Sequence, residues 1–493
     1  MTTRVPAARL DAEVSSADDL DHRGEIDAGE RSVLLPSHSE FTSTSMAALA
    51  NVEAELPWRA GRNWLCTALV LSAAFFMHFT AWHATQNLQS TLPLHPTVSG
   101  TTALGIVYIT HCLSAPMAPT IIQRLGPRLC IVIGQLCYGT FIAAQLFPRP
   151  YTIYPAATLV GLSASPLWAA QGLLITHFAV GFATARRSPD VASATGIFNG
   201  VFECAYGALT NVVGSVLSSL AFTFGEHVVQ SDGSPARPTD ATVHALFSSF
   251  LCFLFIGVAL VVFGLPGKYC TPPPPQQQRT LWTTLQLLKE RRMLMLLPLV
   301  VSSGLLSGFV TADFTRSVIA PSLGFDSIGF VVAINGSAGA LAFLVLGKII
   351  DTVNRSAVVA IGLGGFGTMI CALLLFPPPP PGSWTSVCLI GMAGSIGNAA
   401  MTNAVVAYLS ASFLDGKTAE AFGCKVFLGA GAQAASFFTS DFVEVRPKLV
   451  ACTVVLVVGC VSFWLVEWEQ QRNTVFDGVR SKRPVVQVKK AHV

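Results

Sequence analysis

Charge is scarce in this chain: Asp, Glu, Lys and Arg make up 12% of its 493 residues, about half the ~25% usual in soluble domains. With 52% of the residues hydrophobic, the composition is that of a membrane protein. Strand-like alternation of polar and apolar residues is absent. That leaves helices as the spanning elements, because hydrocarbon satisfies no backbone hydrogen bonds. Also lacking are a Walker phosphate loop, a nucleophile triad and any Cys/His metal-ligand spacing. ATP-driven pumping, enzymatic chemistry and a bound metal or cofactor therefore find no support in the sequence. The 12 cysteines form no CxxC and fall almost entirely inside hydrophobic runs, where they read as small packing residues. A net charge of +3 gives no reason to expect nucleic acid as a partner; the partner composition points to is the lipid bilayer.

What is present is a series of apolar runs, each long enough to cross a ~30 Å hydrocarbon core. Twelve are read, at 64–86, 98–120, 129–148, 152–182, 192–224, 242–266, 293–314, 326–347, 355–376, 384–412, 418–440 and 447–468. The polar, Pro- and Gln-rich stretch "GKYCTPPPPQQQRTLWTTLQLLKERR" divides them six and six. The expected fold class is an all-α polytopic membrane protein, with twelve transmembrane helices in two six-helix bundles. The expected organisation is a disordered cytosolic tail over 1–62, bundles over 63–266 and 293–468, a cytosolic linker over 267–292 and a cytosolic tail over 469–493. Lys and Arg crowd one set of alternate loops, with Arg124, Arg128, Arg186, Lys289 and Lys348 among them, and leave the other with few, including Arg446 and Lys448. The positive-inside rule then puts both termini in the cytosol.

The halves share an outline. The first run of each closes in a polar patch, "HATQNLQSTLP" (83–93) or "TADFTRSVIAP" (311–321), and the fourth holds "GLSASPLWAAQ" (161–171) or "GMAGSIGNAAM" (391–401). Alternating-access carriers are built from such repeats, with the solute site between the halves near the midplane. Gly347, Asp351 and Arg355 stand four residues apart in "GKIIDTVNR". This resembles the cytosolic loop motif of the major facilitator superfamily, in which a helix-end acid and a loop base lock the inward gate. The corresponding first-half loop departs from it, with Arg124 where an acid is expected.

More specific are "TQNLQSTL" (85–92), "LGIVYITHCLSAPMAPTIIQRLGPR" (104–128), "LVGLSASPLWAAQG" (159–172), "GIFNGVF" (196–202) and "GFVTADFTRSVIAPSLGFDSIGFVVAINGSAGAL" (308–341). In content and order these resemble the uncoordinated-93-like family, a divergent branch of that superfamily. The likeness weakens after Gly391, and Asn398 stands where the family commonly has an acid. The resemblance implies the major facilitator fold and one of two roles. One is transport of a small solute; the other is an accessory role, regulating a potassium channel or escorting endosomal receptors through a membrane-protein partner.

Buried polar residues carry the rest. Gly196, Gly200, Glu203, Gly207, Asn211 and Gly214 recur every three or four residues and share one helix face. Small residues mark close helix approach, so Glu203 is expected to face the interior, ~16 Å from the cytosolic end. An unpaired carboxylate there costs about 2.5–3.5 kcal/mol or more. Two readings stand: an acid that couples protons or cations to transport, or a hydrogen-bonded structural acid. Lys425 heads a stripe with Gly429, Gln433, Ser436 and Ser440. It reads as an anion or gate contact, or as a snorkelling lysine. A direct bridge to Glu203 is not expected, because the superfamily layout sets span five against span eight and span eleven against span two.

His111 is either a proton-sharing cavity residue or a structural histidine, and Gln171, Asn335 and Asn398 line the cavity or join helices. Asp313 has Arg316 as its nearest local partner, as an ordinary helix-end pair or an outer gate with Gln86 and Asn87 as first-half counterparts. In the N-terminal tail, "ERSVLL" places Glu30 ahead of Leu34 and Leu35 in an acidic dileucine pattern. This favours endolysosomal or vacuolar sorting, with the plasma membrane as the rival. The function expected is secondary active transport of a small solute by alternating access, with Glu203 as its proton-coupling candidate. The alternative is a non-transporting accessory protein that regulates or escorts a channel or receptor.

Overall fold

The computed structural model describes residues 38–92, 96–186, 191–228, 237–271, 286–350, 354–413 and 418–481. Glu30, Leu34, Leu35, Asp351 and most of the expected linker lie outside them. The chain divides into two units, Met1–Glu55 and Leu56–Val493. In the first, the described part is the opening of helix α1 (His38–Leu88). α1 thus begins inside the segment expected to be a disordered tail, since "MAALANVEAEL" is rich in strong helix formers.

In the second unit α1 continues, and Ser99 caps α2 (Gly100–Ser114) by accepting from the Thr102 amide at 3.1 Å. Next come α3 (Ala118–Leu125), α4 (Pro127–Ala144), α5 (Pro150–Ala185) and α6 (Val191–Glu203). A π-helical turn, Cys204–Leu209, follows Glu203 directly and leads into α7 (Thr210–Phe224). A two-residue hairpin pairs His227–Val228 with Arg237–Pro238 ahead of α8 (Asp240–Gly264). α9 (Arg291–Phe309) runs through a second π-helix, Val310–Ile319, into α10 (Ala320–Leu323). The seventh span therefore continues past the end expected near residue 314, where the polar "TADFTRS" looked like a terminus. Then come α11 (Ile328–Ile349), α12 (Arg355–Leu375), α13 (Trp384–Ser412), α14 (Thr418–Thr439) and α15 (Val445–Ser481).

Among the described residues, eleven helical stretches are long and apolar enough to cross a membrane. α14 is helical for 22 residues but falls outside that set, because Lys425 and Gln433 interrupt its apolar run. Buried apolar side chains form two clusters, one running from Ala68 to Cys270 with Ala312 and Phe437 added, the other from Leu287 to Val466.

The N-terminal and C-terminal helices meet along two seams, α7 on α11 and α2 on α14. Both seams are tight. A Cβ on Gly329 would lie 1.9 Å from the Ser215 carbonyl oxygen, and one on Gly105 would lie 2.7 Å from the Phe438 ring. At the other end of the same spans, α3 packs on α4 and α5, and α6 packs on α5. Gly196 and Gly200, expected to mark a close helix contact, face open space; on that face it is at Gly214 that a Cβ would meet another helix, 2.2 Å from the Thr80 carbonyl oxygen. The expected close contact is therefore absent at Gly196 and Gly200, where an added Cβ meets nothing within 4 Å. The N-terminal and C-terminal helices are joined by side-chain hydrogen bonds at the Ser99 and Asp441 end.

Candidate functional site: a central cavity below an outer seal

A cavity of about 190 Å³ opens among α9, α13 and α14, with Ser303, Ser307, Asn398, Thr402, Lys425 and Gln433 as its polar lining. Ser303 Oγ donates to Asn398 Oδ1 at 3.4 Å, so Asn398 keeps its amide hydrogens for other acceptors. Across the seam, the Tyr108 hydroxyl of α2 accepts from Gln86 Nε2 at 3.0 Å. That bond ties α2 to α1, and the Tyr108 ring packs on Phe437 of α14 at 5.4 Å between ring centres.

From the N-terminal helices, Glu203 stands at the end of α6, exposed, where the π-turn begins. Widened turns of this kind recur at functional sites. Glu203 and Lys425 do not come within the 4.0 Å of an ion pair. Behind Glu203, Tyr206 packs against Trp168 at 4.7 Å, Phe79 at 5.1 Å and Phe202 at 5.8 Å between ring centres.

Other expected cavity residues lie elsewhere. His111 has a buried, unpartnered Nε2 and faces Tyr108 at 6.5 Å. Asn335 is buried against Gly391, where a Cβ would come within 2.0 Å of its Nδ2, so it is a helix-packing residue between α11 and α13. Gln171 is buried in α5. Asn87 donates to Asn211 at 3.0 Å and Ser215 at 3.2 Å, inside the N-terminal helices. Neither Gln86 nor Asn87, the expected first-half counterparts, contacts Asp313 or Arg316 in these hydrogen bonds.

The outer seal has a different membership from the one expected. Arg316 lies 3.1 Å from Asp441 and also donates to the Ser440 carbonyl. Asp441 in turn accepts from Ser99, from Thr101 at 2.7 Å and from Thr102 at 3.2 Å, crossing from the C-terminal to the N-terminal helices. Burial opposes ionisation of Asp441, but the hydrogen bonds from Ser99, Thr101, Arg316 and Thr102 outweigh it and hold its carboxyl below the usual range. Asp313, fully buried, pairs with Lys448 and accepts from Ser440 Oγ at 3.0 Å. From the sequence Lys448 reads only as one of the few bases of the sparsely charged loops. A signal for Asp441 was available: it faces the hydroxyl run Ser99, Thr101, Thr102 at the capped start of α2.

At the other end of the spans, Gly347 would place a Cβ 3.5 Å from Asn403, and Arg355 lies 3.6 Å from Glu467 of α15. No group of three His, Cys, Asp or Glu able to hold a metal occurs among the described residues.

A polar cavity sealed at one end of a many-helix membrane chain is the arrangement of a transporter-type fold. Solved structures agree in fold. A POT family transporter in complex with thioalcohol conjugated peptide has a TM-score of 0.59 at 10% identity, covering 82% of this chain and 96% of that one. The nucleoside transporter NupG has a TM-score of 0.54 at 13% identity, covering 81% and 98%. The family profile described as "Ion channel regulatory protein UNC-93" matches residues 96–464, and the chain belongs to that family. Similar relatives include "Protein unc-93 homolog A" of Bos taurus, 29% identical over 83% of this chain and 94% of that one. "UNC93-like protein 3" of Arabidopsis thaliana is 27% identical over 80% and 84%. These names describe regulators and transporters, not enzymes.

Proposed function

We propose that this chain is a secondary active carrier for a small solute, with twelve transmembrane helices in two six-helix bundles, 63–266 and 293–468, rocking about the central cavity. With the basic loops in the cytosol, the state described is inward-open. The observation that carries this reading is the asymmetry of closure. The Ser99 and Asp441 end is latched, Gly196 and Gly200 at the other end face open space, and a polar cavity lies between. Alternating access requires such a one-sided seal. Protonation of Glu203 biases one facing state over the other, and the dileucine pattern Glu30, Leu34 and Leu35 directs the protein to endolysosomal or vacuolar membranes.

The test is reconstitution in liposomes with lumenal pH followed while small metabolites are presented. Solute-dependent proton flux in the wild type that is lost in folded Glu203→Gln supports the reading; equal coupling in both removes Glu203 from it. A second reading, regulation of a membrane channel, is favoured by the description of the family profile. It predicts a co-purifying membrane protein and tolerance of substitutions at Lys425 and Asn398.

A further inference from the structure

Each of the three helices around the cavity turns one face to it. Val300, Ser303, Gly304 and Ser307 of α9 recur at helical spacing, as do Asn398, Thr402 and Val405 of α13 and Lys425, Gly429 and Gln433 of α14. Gly304 brings α9 onto the α14 backbone, since a Cβ there would lie 2.5 Å from the Gly429 carbonyl oxygen. That contact sets the register of α14 on α9, with Lys425 and Gln433 one turn to either side of it. The lining is one-sided in charge: it holds the base Lys425 and no acid. Among the described residues Lys425 makes no ion pair within 4.0 Å. Lys448 on α15, by contrast, has Asp313 as its counter-ion; Lys425 has a cavity. An ammonium held inside a membrane-spanning bundle is costly unless it is paired. The site therefore favours an occupant that brings the missing negative charge.

We propose that the cavity takes a small organic monocarboxylate, with its carboxylate on the Lys425 ammonium and the Asn398 amide and its short body against Val300 and Val405. This inference deepens the transport reading of the same cavity and rests on it. One base without an acid sets the charge of the occupant at a single negative. A second carboxylate, or a phosphate dianion, would carry a charge that no lining residue meets. Ser303 donates to Asn398 Oδ1, which leaves the Asn398 Nδ2 hydrogens, with the hydroxyls of Ser307 and Thr402, as donors to carboxylate oxygens. Val300 and Val405 add an apolar wall that a bare halide would leave unused. Size agrees: about 190 Å³ is less than the ~300–1,000 Å³ of pockets for drug-sized ligands, which limits the body to a few carbons.

The test is calorimetric binding to the purified full chain in lipid nanodiscs. The probes are propionate, butyrate, pyruvate and lactate, each beside its carboxamide, which keeps the shape and lacks the charge. Chloride, inorganic phosphate and succinate serve as competing anions. The expected result is that at least one monocarboxylate binds with a Kd of about 1 mM or tighter. It should bind about tenfold or more tightly than its carboxamide and than each competing anion. Lys425→Gln should erase the preference over the carboxamide, and Asn398→Asp, which sets an acid in the lining, should weaken the monocarboxylate without weakening the carboxamide. No binding by any monocarboxylate, a carboxamide that binds the wild type as tightly as its parent, an unchanged preference in folded Lys425→Gln, or tighter binding of a competing anion overturns the proposal. The wild-type comparison stands even if a variant fails to fold. Monocarboxylate binding without flux in liposomes would overturn the transport reading alone, and flux of a neutral or cationic solute without monocarboxylate binding would overturn this inference alone.

Discussion

Arg316 lies 3.1 Å from Asp441 and leaves Asp313, the acid three residues before it, to Lys448. On an α-helix, residues three apart share a face and pair readily. Here both sit in the π-helical stretch Val310–Ile319, whose wider turn rotates the third position away from the first. The result is two ion pairs with separate tasks. Asp313–Lys448 is buried and joins α15 to the seventh span; Arg316–Asp441 is more exposed and reaches the hydroxyls at the start of α2.

Asp441→Asn is expected to loosen the outer seal while leaving the fold intact. A hydrogen bond to a charged group is worth about 1.5–3 kcal/mol, and at this half-exposed site the low end applies, a roughly tenfold rise in the outward-open population. Spin labels at Phe147 and Phe376, exposed in turns at the sealed end on opposite sides of the seam, report it as a longer distance. An unchanged distance distribution would remove Asp441 from the latch.

The same carboxyl sets a pH window. It is held below its ordinary value, so its stabilisation is fully present above the ordinary carboxylate pKa of ~3.9 and is lost only as pH falls through the lowered value. The seal is therefore expected to hold constant from about pH 8 down to about pH 5. Measured with the same labels in Glu203→Gln, opening of the outer end within that range would show that the latch titrates where its hydrogen bonds forbid it.

Much of this was legible in the sequence and some of it was not, for physical reasons. The spans follow from apolar runs, and most helix ends fall within a few residues of those read, because Gly and Pro mark them. The packing of α7 on α11 and α2 on α14 agrees with the superfamily layout. The partners of Asp313 and Arg316 were hidden because Lys448 and Asp441 lie more than a hundred residues away and only tertiary structure joins them. The glycine stripe around Glu203 marks a helix contact only at Gly214: Gly196 and Gly200 meet nothing within 4 Å, and sequence periodicity does not distinguish a packed small residue from an exposed one. α15 reaches Ser481, past the apolar run, with Glu467 and Glu469 held by Arg355 and Arg291.

Gly329→Ala is expected to act on conformation more than on stability. An added methyl would stand 1.9 Å from the Ser215 carbonyl oxygen, in backbone that cannot yield, but only while the outer seam is closed. Glycine to alanine inside a helix otherwise stabilises by roughly 0.5–1 kcal/mol. The variant should therefore melt no lower than wild type yet show the longer distance between labels at Phe147 and Phe376. Gly196→Ala and Gly200→Ala, which meet open space, should leave that distance unchanged. A Gly329→Ala protein that keeps the wild-type distance would mean that the seam can relax around the methyl.

Asp313 and Lys448 should behave as one unit. Asp313 is fully buried and Lys448 nearly so, and the lysine also donates to the Ser436 carbonyl at 2.6 Å and to Ser440 Oγ at 2.8 Å. Removing one charge strands the other in a site with little water, which typically costs about 3–5 kcal/mol, whereas replacing both with apolar residues of similar volume is often neutral. Asp313→Leu or Lys448→Met alone should each lower the thermal midpoint of the detergent-solubilised protein sharply, and the double variant should recover most of the loss. Because Arg316–Asp441 is a separate pair, the double variant should keep the wild-type distance between labels at Phe147 and Phe376. If the double variant is as unstable as the two single losses added together, the charges act on stability independently and the pair is not the joint that fixes α15 to the seventh span.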